Sequence, residues 1–186
     1  MSRSLDTSPR MNVLAISGSL RATSSNAALV RAAARLAPST IVLETYDQLA
    51  ALPHFSPDLD IPPLPAPVAE LRAAVGRCEA LMITTPEYAH GMPGSLKNAL
   101  DWLVSATEPI DKPVLLISAS PSGAAHAHAQ FSEVLRTMSM RLVDGGAHVF
   151  SRAKLDGDGN VVDEALLASI RAGFAQLAAM PNDPRA

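Results

Sequence analysis

The sequence predicts an α/β fold, a doubly wound three-layer sandwich around a five-stranded parallel sheet of strand order 2-1-3-4-5. Short runs rich in Val, Ile and Leu alternate with longer Ala- and Leu-rich stretches of helical period, the pattern of repeated β-α-β units. The run Met11–Ser17 is mostly apolar, as expected for a central parallel strand that is buried on both faces. Five strands, five helices and no internal repeat fit this topology with right-handed crossovers.

The first β-α-β unit has clear boundary signals. After the first strand, Ser24 or Ser25 can cap a helix that runs to about Ala37 and ends before Pro38. The second strand follows at Thr40–Tyr46. Five prolines between positions 53 and 65, with one more just beyond, predict a long surface loop rather than a domain linker.

The same periodicity places the remaining elements. They are helix Val68–Arg77, strand Ala80–Thr84, helix Gly94–Val104, strand Pro113–Ser118, helix Ala124–Met140, strand Arg141–Phe150 and helix Val161–Met180. Ligands of such sheets bind at the carboxyl ends of the strands. The loops that follow residues 17, 84 and 118 therefore form the candidate site.

Length and composition indicate one domain. The 186 residues are 48% hydrophobic and 18% charged, which supplies a sizeable core and argues against disorder. A formal net charge of −3 without runs of Lys or Arg argues against nucleic-acid and anionic-membrane partners. We expect a single domain over residues 11–181, a disordered N-terminal tail over 1–10 and a short C-terminal tail over 182–186.

Cysteine usage and the N-terminal segment indicate a cytoplasmic protein. The single cysteine, Cys78, cannot form an internal disulfide, and its apolar setting predicts an inert core thiol. The polar segment Met1–Arg10 lacks the apolar region of an export signal, and no apolar stretch reaches the ~20 residues needed to span a bilayer. We therefore expect no export or membrane segment.

The loop after the first strand has the composition of a phosphate site. It combines hydroxyls, one guanidinium and the start of a helix, which offers unpaired backbone N–H groups and a positive dipole end. The alternative is an ordinary capped helix with a surface arginine. Neither G-x-G-x-x-G nor G-x-x-x-x-G-K-[ST] is present, which argues against dinucleotide and P-loop sites. The candidate phosphate residues are Ser19, Arg21, Ser24, Ser25 and Asn26.

Two motifs in order carry a resemblance to a known family. G-S-L-R-x-x-S-x-N follows the first strand, and P-E-Y-x-x-G-x-P-G-x-L-K-N-A-L-D-W follows the third. Together they resemble the NADPH-dependent FMN reductase family, which includes flavin, quinone, azo-dye and chromate reductases, over most of residues 11–150. The resemblance implies a flavodoxin-like fold, bound FMN, NADPH or NADH as hydride donor, and a homodimer or a dimer of dimers (homotetramer).

Carried over position by position, the resemblance assigns cofactor contacts to three loops. The residues of the first loop would hold the FMN phosphate. Ala89 stands where the family often has asparagine, so one side-chain hydrogen bond near the ring is missing, and Tyr88 is either an aromatic wall or an interface tyrosine. The isoalloxazine edge would be lined by Pro86, Glu87, Tyr88, Ala89, His90 and Gly91, and the small-residue loop that flanks the ring by Ser120, Ser122 and Gly123.

The functional hypothesis is an enzyme that transfers hydride from NAD(P)H to flavin and then reduces an acceptor such as a quinone, azo compound, metal oxyanion or free flavin, by a ping-pong mechanism. Flavin N5 carries this chemistry, so we expect no catalytic side chain. The alternative is a non-catalytic, flavodoxin-like electron carrier or flavin-binding module, disfavoured by the modest charge and the arginine in the phosphate loop. A flavin-free dehydrogenase lacks its glycine fingerprint.

Several other polar residues resemble metal-binding patterns, but we interpret them as surface or turn residues. His126 and His128 point to different helix faces, so we expect surface histidines rather than a metal pair. Asp156, Asp158 and Asn160 imitate a calcium loop but lack its glycine and its final glutamate, so we expect a turn. No metal site is expected.

The helix after the third strand suggests a contact between copies of the chain. Lys97 and Asp101 are four residues apart and form either a local ion pair or a contact across a dimer. The helix also has more apolar surface than one sheet face obviously needs, and the family resemblance implies that it lies at a dimer contact. The apolar residues are Leu96, Leu100, Trp102 and Leu103.

Overall fold

The predicted strand order is confirmed, because the all-parallel sheet runs β2-β1-β3-β4-β5. A computed structural model describes residues 10–21 and 23–180, so the predicted tails lie outside the described residues except for Arg10. Within these ranges, no helix is long and apolar enough to cross a lipid bilayer. In chain order the elements are β1 Met11–Ser17, α1 Ser25–Leu36, β2 Ile41–Tyr46, α2 Ala66–Arg77, β3 Ala80–Thr85, α3 Gly94–Asp101, β4 Pro113–Ser120, α4 Ala125–Thr137, β5 Arg141–Val149 and α5 Glu164–Ala179.

Alternate residues of the central strands face two separate cores. On β1, Val13 and Ala15 belong to the cluster formed with α1 and α5. Leu14 and Ile16 belong to the cluster formed with α2, α3 and α4. None of the four is more than 3% exposed, so β1 is buried on both faces, as its apolar sequence predicts.

The helix after β3 is shorter than predicted, and its apolar residues belong to the core of the chain. α3 ends at Asp101 rather than Val104, and the chain continues as turns. The expectation that this helix has surplus apolar surface for a dimer is wrong, because all four apolar residues are at most 3% exposed within one chain. They are Leu96, Leu100, Trp102 and Leu103.

The proline-rich loop at residues 53–65 covers this end of α3. The indole Nε1 of Trp102 donates to the carbonyl oxygen of Pro53 at 2.8 Å, and the ring of Phe55 meets the Trp102 ring edge-on at a centroid distance of 5.1 Å. Asn98 Nδ2 also donates to the Pro53 oxygen, and Asn98 Oδ1 accepts from the N–H of Phe55. Prolines cannot pair as a strand, so the loop is held by side chains of α3 instead.

The last two helices have bounds set by local backbone geometry. α4 ends before its predicted last residue, Met140, because Ser139 has a left-handed backbone with φ 58°. α5 begins at Glu164 rather than Val161, because the side chain of Asp163 caps it by accepting a first-turn N–H at 3.0 Å.

Candidate active site

A cleft of about 280 Å³ opens at the carboxyl edge of the sheet, where the loops after β1, β3, β4 and β5 meet. Parallel α/β sheets bind ligands at this edge. The first three loops are those predicted from the sequence, and the fourth is not. The cleft is lined by Ser19, Arg21, Thr23, Ser24, Ser25, Asn26, Pro86, Glu87, Tyr88, Ala119, Ser120, Pro121, Phe150, Ser151 and Arg152.

The loop between β1 and α1 begins in close contact with the end of β3. The N–H of Gly18 donates to the carbonyl oxygen of Thr84 at 2.7 Å, and a Cβ on Gly18 would lie only 2.7 Å from Leu96 Cδ2. Ser24 then caps α1, since its side chain accepts from the N–H of Ala27 at 3.0 Å. The remaining first-turn N–H groups of α1 have no partner within the helix and are donors for an anion.

Asn26, in the first turn of α1, contacts the ends of β3 and β4 and leaves one buried acceptor unpaired. Its Nδ2 donates to the carbonyl oxygen of Ala119 at 3.0 Å, and its own carbonyl oxygen accepts from Thr84 Oγ1 at 3.3 Å. Its Oδ1 is buried without a hydrogen-bond partner in the described part of the chain, although Asn26 is only 3% exposed. Buried polar atoms are rarely left unpaired. The ribityl hydroxyls of FMN supply donors of the missing kind, so the residues present fit this cofactor.

The loop after β3 is a tight turn closed by two backbone hydrogen bonds. Tyr88 and Gly91 exchange N–H···O bonds of 2.9 Å in each direction. The two residues between them, Ala89 and His90, have positive φ values of 49° and 58°, a conformation that residues with a Cβ seldom adopt. The turn leaves Tyr88 54% exposed at the rim of the cleft.

The carboxylate of Glu87 joins this loop to α4. α4 begins after Ala124, whose φ of 58° is left-handed and whose methyl group cannot cap the helix. Glu87 Oε2 takes that role by accepting from the N–H of Ala127 at 2.9 Å. The Glu87 carboxylate therefore ties the loop after β3 to the first turn of α4.

The third predicted loop is partly strand. β4 continues to Ser120 rather than ending at Ser118, since pairing with β5 resumes after a register shift at residues 116–118. Ser120 lines the cleft, and its Oγ lies 3.0 Å from the Oγ of Ser122. Gly123 adopts φ 105° beyond it.

The loop after β5 contributes lining residues that the sequence reasoning missed. Phe150, Ser151 and Arg152 face the cleft, and the N–H of Phe150 donates to the carbonyl oxygen of Ser120 at 2.8 Å. In the predicted strand order β5 lies beside β4, so its carboxyl end belongs to the same edge. The predicted strand order could therefore have identified these residues as part of the site. Thr23, Ala119 and Pro121 were missed within loops already identified.

The structure brings most of the predicted cofactor residues into the cleft. Those in its lining are Ser19, Arg21, Ser24, Ser25, Asn26, Pro86, Glu87, Tyr88 and Ser120. The others shape the adjoining turns without lining it, and they are Ala89, His90, Gly91, Ser122 and Gly123.

The two histidines of α4 have different environments. His126 is exposed and stacks on His90 with a ring centroid distance of 4.2 Å. The expectation of an ordinary surface residue is wrong for His128, which has a side chain only 13% exposed. Its Nδ1 lies 2.9 Å from Ser118 Oγ and its Nε2 lies 3.0 Å from Asp144 Oδ1. Ser118 is completely buried, so this Ser-His-Asp row cannot present a nucleophile to a substrate.

The predicted turn at Asp156 and the predicted burial of Cys78 are confirmed. Asp156 accepts from the N–H groups of Asp158 and Asn160 and closes a turn, which lowers the pKa of its carboxyl group. In the described ranges no three His, Cys, Asp or Glu side chains come together as a metal site. Cys78 is buried, and burial raises the pKa of its thiol, as expected for an inert residue.

The polar pair of α3 is local. Lys97 and Asp101 form an ion pair within the helix, with both side chains partly exposed. The expectation of a local ion pair is therefore confirmed.

Comparisons with known proteins agree with the motifs. The model of the NADPH-dependent FMN reductase family matches residues 11–154. An NAD(P)H-dependent FMN reductase of Pseudomonas aeruginosa is 31% identical over 163 residues, covering 83% of this chain and 86% of that protein. A quinone reductase of Escherichia coli is 32% identical over 127 residues, covering 67% and 68%.

A solved structure agrees in fold as well as in sequence. The flavoenzyme NAD(P)H:(acceptor) oxidoreductase FerB of Paracoccus denitrificans superimposes with a TM-score of 0.79 at 27% identity, covering 90% of this chain and 97% of FerB. The chain belongs to the NADPH-dependent FMN reductase family and is an oxidoreductase that uses FMN with NAD(P)H as hydride donor.

Proposed function

We propose that each chain binds one FMN in the cleft and reduces a small acceptor with NAD(P)H by a ping-pong mechanism. The observation that carries this proposal is the cleft itself. It joins a loop rich in hydroxyls and cationic groups to a rigid turn at the sheet edge, with the unpaired Asn26 Oδ1 between them. An electron carrier needs the same cofactor, but the family contains enzymes that oxidise NAD(P)H.

The phosphate of FMN would be held by the loop between β1 and α1. Ser19, Ser24 and Ser25 offer hydroxyls, and Arg21 offers a fork of charged donors. The first turn of α1 adds backbone N–H groups and the positive end of the helix dipole. These groups together suit a dianion.

The ring edge of FMN would lie against the turn after β3. The bridge between Tyr88 and Gly91 uses their own N–H groups, so those of Ala89 and His90 take no part in it. Backbone N–H groups held in a rigid turn stabilise negative charge without reorganisation. Bound FMN supplies the two-electron chemistry, and the protein positions it and leaves one face accessible.

We propose a quinone as the acceptor class, ahead of azo compounds, metal oxyanions and free flavin. The E. coli relative is a quinone reductase, and FerB is described as an NAD(P)H:(acceptor) oxidoreductase. The half-exposed ring of Tyr88 at the cleft rim gives a planar aromatic molecule a stacking surface.

We also propose a homodimer, or a dimer of dimers, in the cytoplasm. Support comes from the family and from large apolar side chains that stay exposed near α3. Val104 is 65% exposed and Ile110 is 39% exposed, whereas Trp102, Leu103 and Ala106 nearby are buried. The modest net charge supports neither a nucleic-acid nor a membrane partner.

The decisive experiment is the absorption spectrum of the purified protein, followed by steady-state oxidation of NADPH and NADH with a series of quinones. We expect a flavin spectrum and parallel double-reciprocal lines, because donor and acceptor use the same exposed face in turn. Intersecting lines would contradict the shared face. A protein that neither contains nor binds FMN would contradict the proposal as a whole.

A further inference from the structure

Arg152 lies at the same end of the cleft as the predicted phosphate loop, although 129 positions separate it from Thr23. Its Nη2 donates to the carbonyl oxygen of Thr23 at 3.2 Å and to Thr23 Oγ1 at 3.3 Å. Thr23 directly precedes Ser24, the residue that caps α1. Arg152 thus joins the segment after β5 to the loop that carries Arg21.

The segment that carries Arg152 is itself anchored. Arg152–Lys154 forms a single 3-10 turn, separated from the end of β5 by two residues. Lys154 Nζ donates to the carbonyl oxygen of Val149 at 2.7 Å and forms an ion pair of 2.6 Å with Asp163, the cap of α5. The turn that carries Arg152 is therefore anchored both to the end of β5 and to the cap of α5.

The charges of the cleft lining favour a dianion at this end. The lining contains two guanidinium groups, those of Arg21 and Arg152, and one carboxylate, that of Glu87. The Glu87 carboxylate already accepts from the N–H of Ala127. A flavin phosphate carries close to two negative charges at neutral pH, which two cations balance.

Arg152 also separates this cleft from a neighbouring one. A second cleft of about 540 Å³ shares Thr23, Ser24 and Arg152 with the first and continues to Arg31 and residues 155–159. Removing the Arg152 side chain would open the phosphate end toward this second space. The residue is thus placed both to contact a phosphate and to close its binding site.

We propose that Arg152 is a second phosphate-binding residue, which acts with Arg21 to make the cleft select a phosphorylated flavin over riboflavin. This inference rests on the proposed function, because it presupposes that FMN occupies the cleft. It adds a residue from outside both family motifs.

The test compares the affinities of flavin-free protein for FMN and for riboflavin, measured by quenching of flavin fluorescence. In Arg152→Ala we expect FMN affinity to fall on the order of tenfold to a hundredfold, with riboflavin affinity unchanged. Arg152→Lys should recover part of the loss, because it keeps the charge but not the fork. The matched control is Arg31→Ala, which removes a cation from the second cleft only and should leave both affinities unchanged.

Three results would overturn the inference while leaving the proposed function intact. One is unchanged FMN affinity in Arg152→Ala. Another is an equal loss of FMN and riboflavin, which would mean that Arg152 only maintains the loop. The third is an equal loss in Arg31→Ala, which would indicate a general effect of positive charge. A wild-type protein that binds neither flavin would instead refute the proposed function and, with it, this inference.

Discussion

Glu87 Oε2 accepts a hydrogen bond of 2.9 Å from the backbone N–H of Ala127, so a side chain of the loop after β3 caps the helix that follows β4. The two residues are 40 positions apart in sequence. A change in the loop after β3 should therefore also affect the start of α4.

Replacing Glu87 should lower the free energy of unfolding by about as much as the loss of a helix cap does. We expect Glu87→Ala to lower the free energy of unfolding by about 1 kcal/mol, and Glu87→Gln to lose less because its amide oxygen still accepts. Chemical denaturation measures both. Glu133→Ala, which removes an exposed carboxylate from the same helix, is the control. Equal stability of Glu87→Ala and wild type would contradict the capping role.

Replacing Arg21 should weaken FMN binding. Loss of a charge-assisted contact to phosphate is worth about 1.5–3 kcal/mol, so Arg21→Ala should reduce affinity on the order of tenfold to a hundredfold. Fluorescence titration measures the change, with the exposed Arg136 of α4 replaced by Ala as control. If the Arg21 and Arg136 variants bound FMN alike, the phosphate loop would be wrongly assigned.

The ion pair of Asp163 should make stability depend on acid pH. The hydrogen bond from Lys154, followed by that from the N–H of Leu166, lowers the pKa of the Asp163 carboxyl below its ordinary 3.8. A lowered pKa means that the carboxylate stabilises the folded chain fully at neutral pH and loses this effect as the pH falls below about 4.

Thermal unfolding from neutral to acid pH tests this dependence. The difference in melting temperature between wild type and Asp163→Asn should be present at neutral pH and shrink in acid. Asp158→Asn, in the exposed turn nearby, should show no such trend. A difference that persists unchanged at low pH would show that the charge of Asp163 is not its source.

The proposed dimer predicts that a charge at Val104 weakens association more than a charge at Val162, although both valines are exposed. Val104→Arg should weaken association because it places a charge on an apolar contact, whereas Val162→Arg, at a comparably exposed valine (54%), should not. Sedimentation equilibrium at micromolar concentration measures the effect. A monomeric wild type, or a Val104→Arg variant that associates as strongly as Val162→Arg, would argue against this surface.

Sequence patterns predicted the strands and helices, which depend on neighbouring residues. They missed contacts between residues that are distant in sequence. The strand at Met11–Ser17 and the capped helix after it follow from hydrophobic period and hydroxyl caps, which are local. Arg152 was missed because its contact with Thr23 spans 129 positions. The prediction that Trp102 adds to a surplus of apolar surface was wrong, because its side chain is covered by the same chain. Its hydrogen-bond partner, Pro53, lies 49 positions earlier in a loop without a periodic pattern, which local sequence patterns do not reveal.

The contact between Trp102 and Pro53 gives the protein a built-in optical probe. Trp102 is the single tryptophan of the chain, is completely buried, and donates its indole N–H to the Pro53 carbonyl oxygen. Its emission should therefore be blue-shifted and shielded from dissolved quenchers in the native state. A red shift that precedes the loss of helical circular dichroism would mean that the proline-rich loop detaches from α3 before the sheet unfolds.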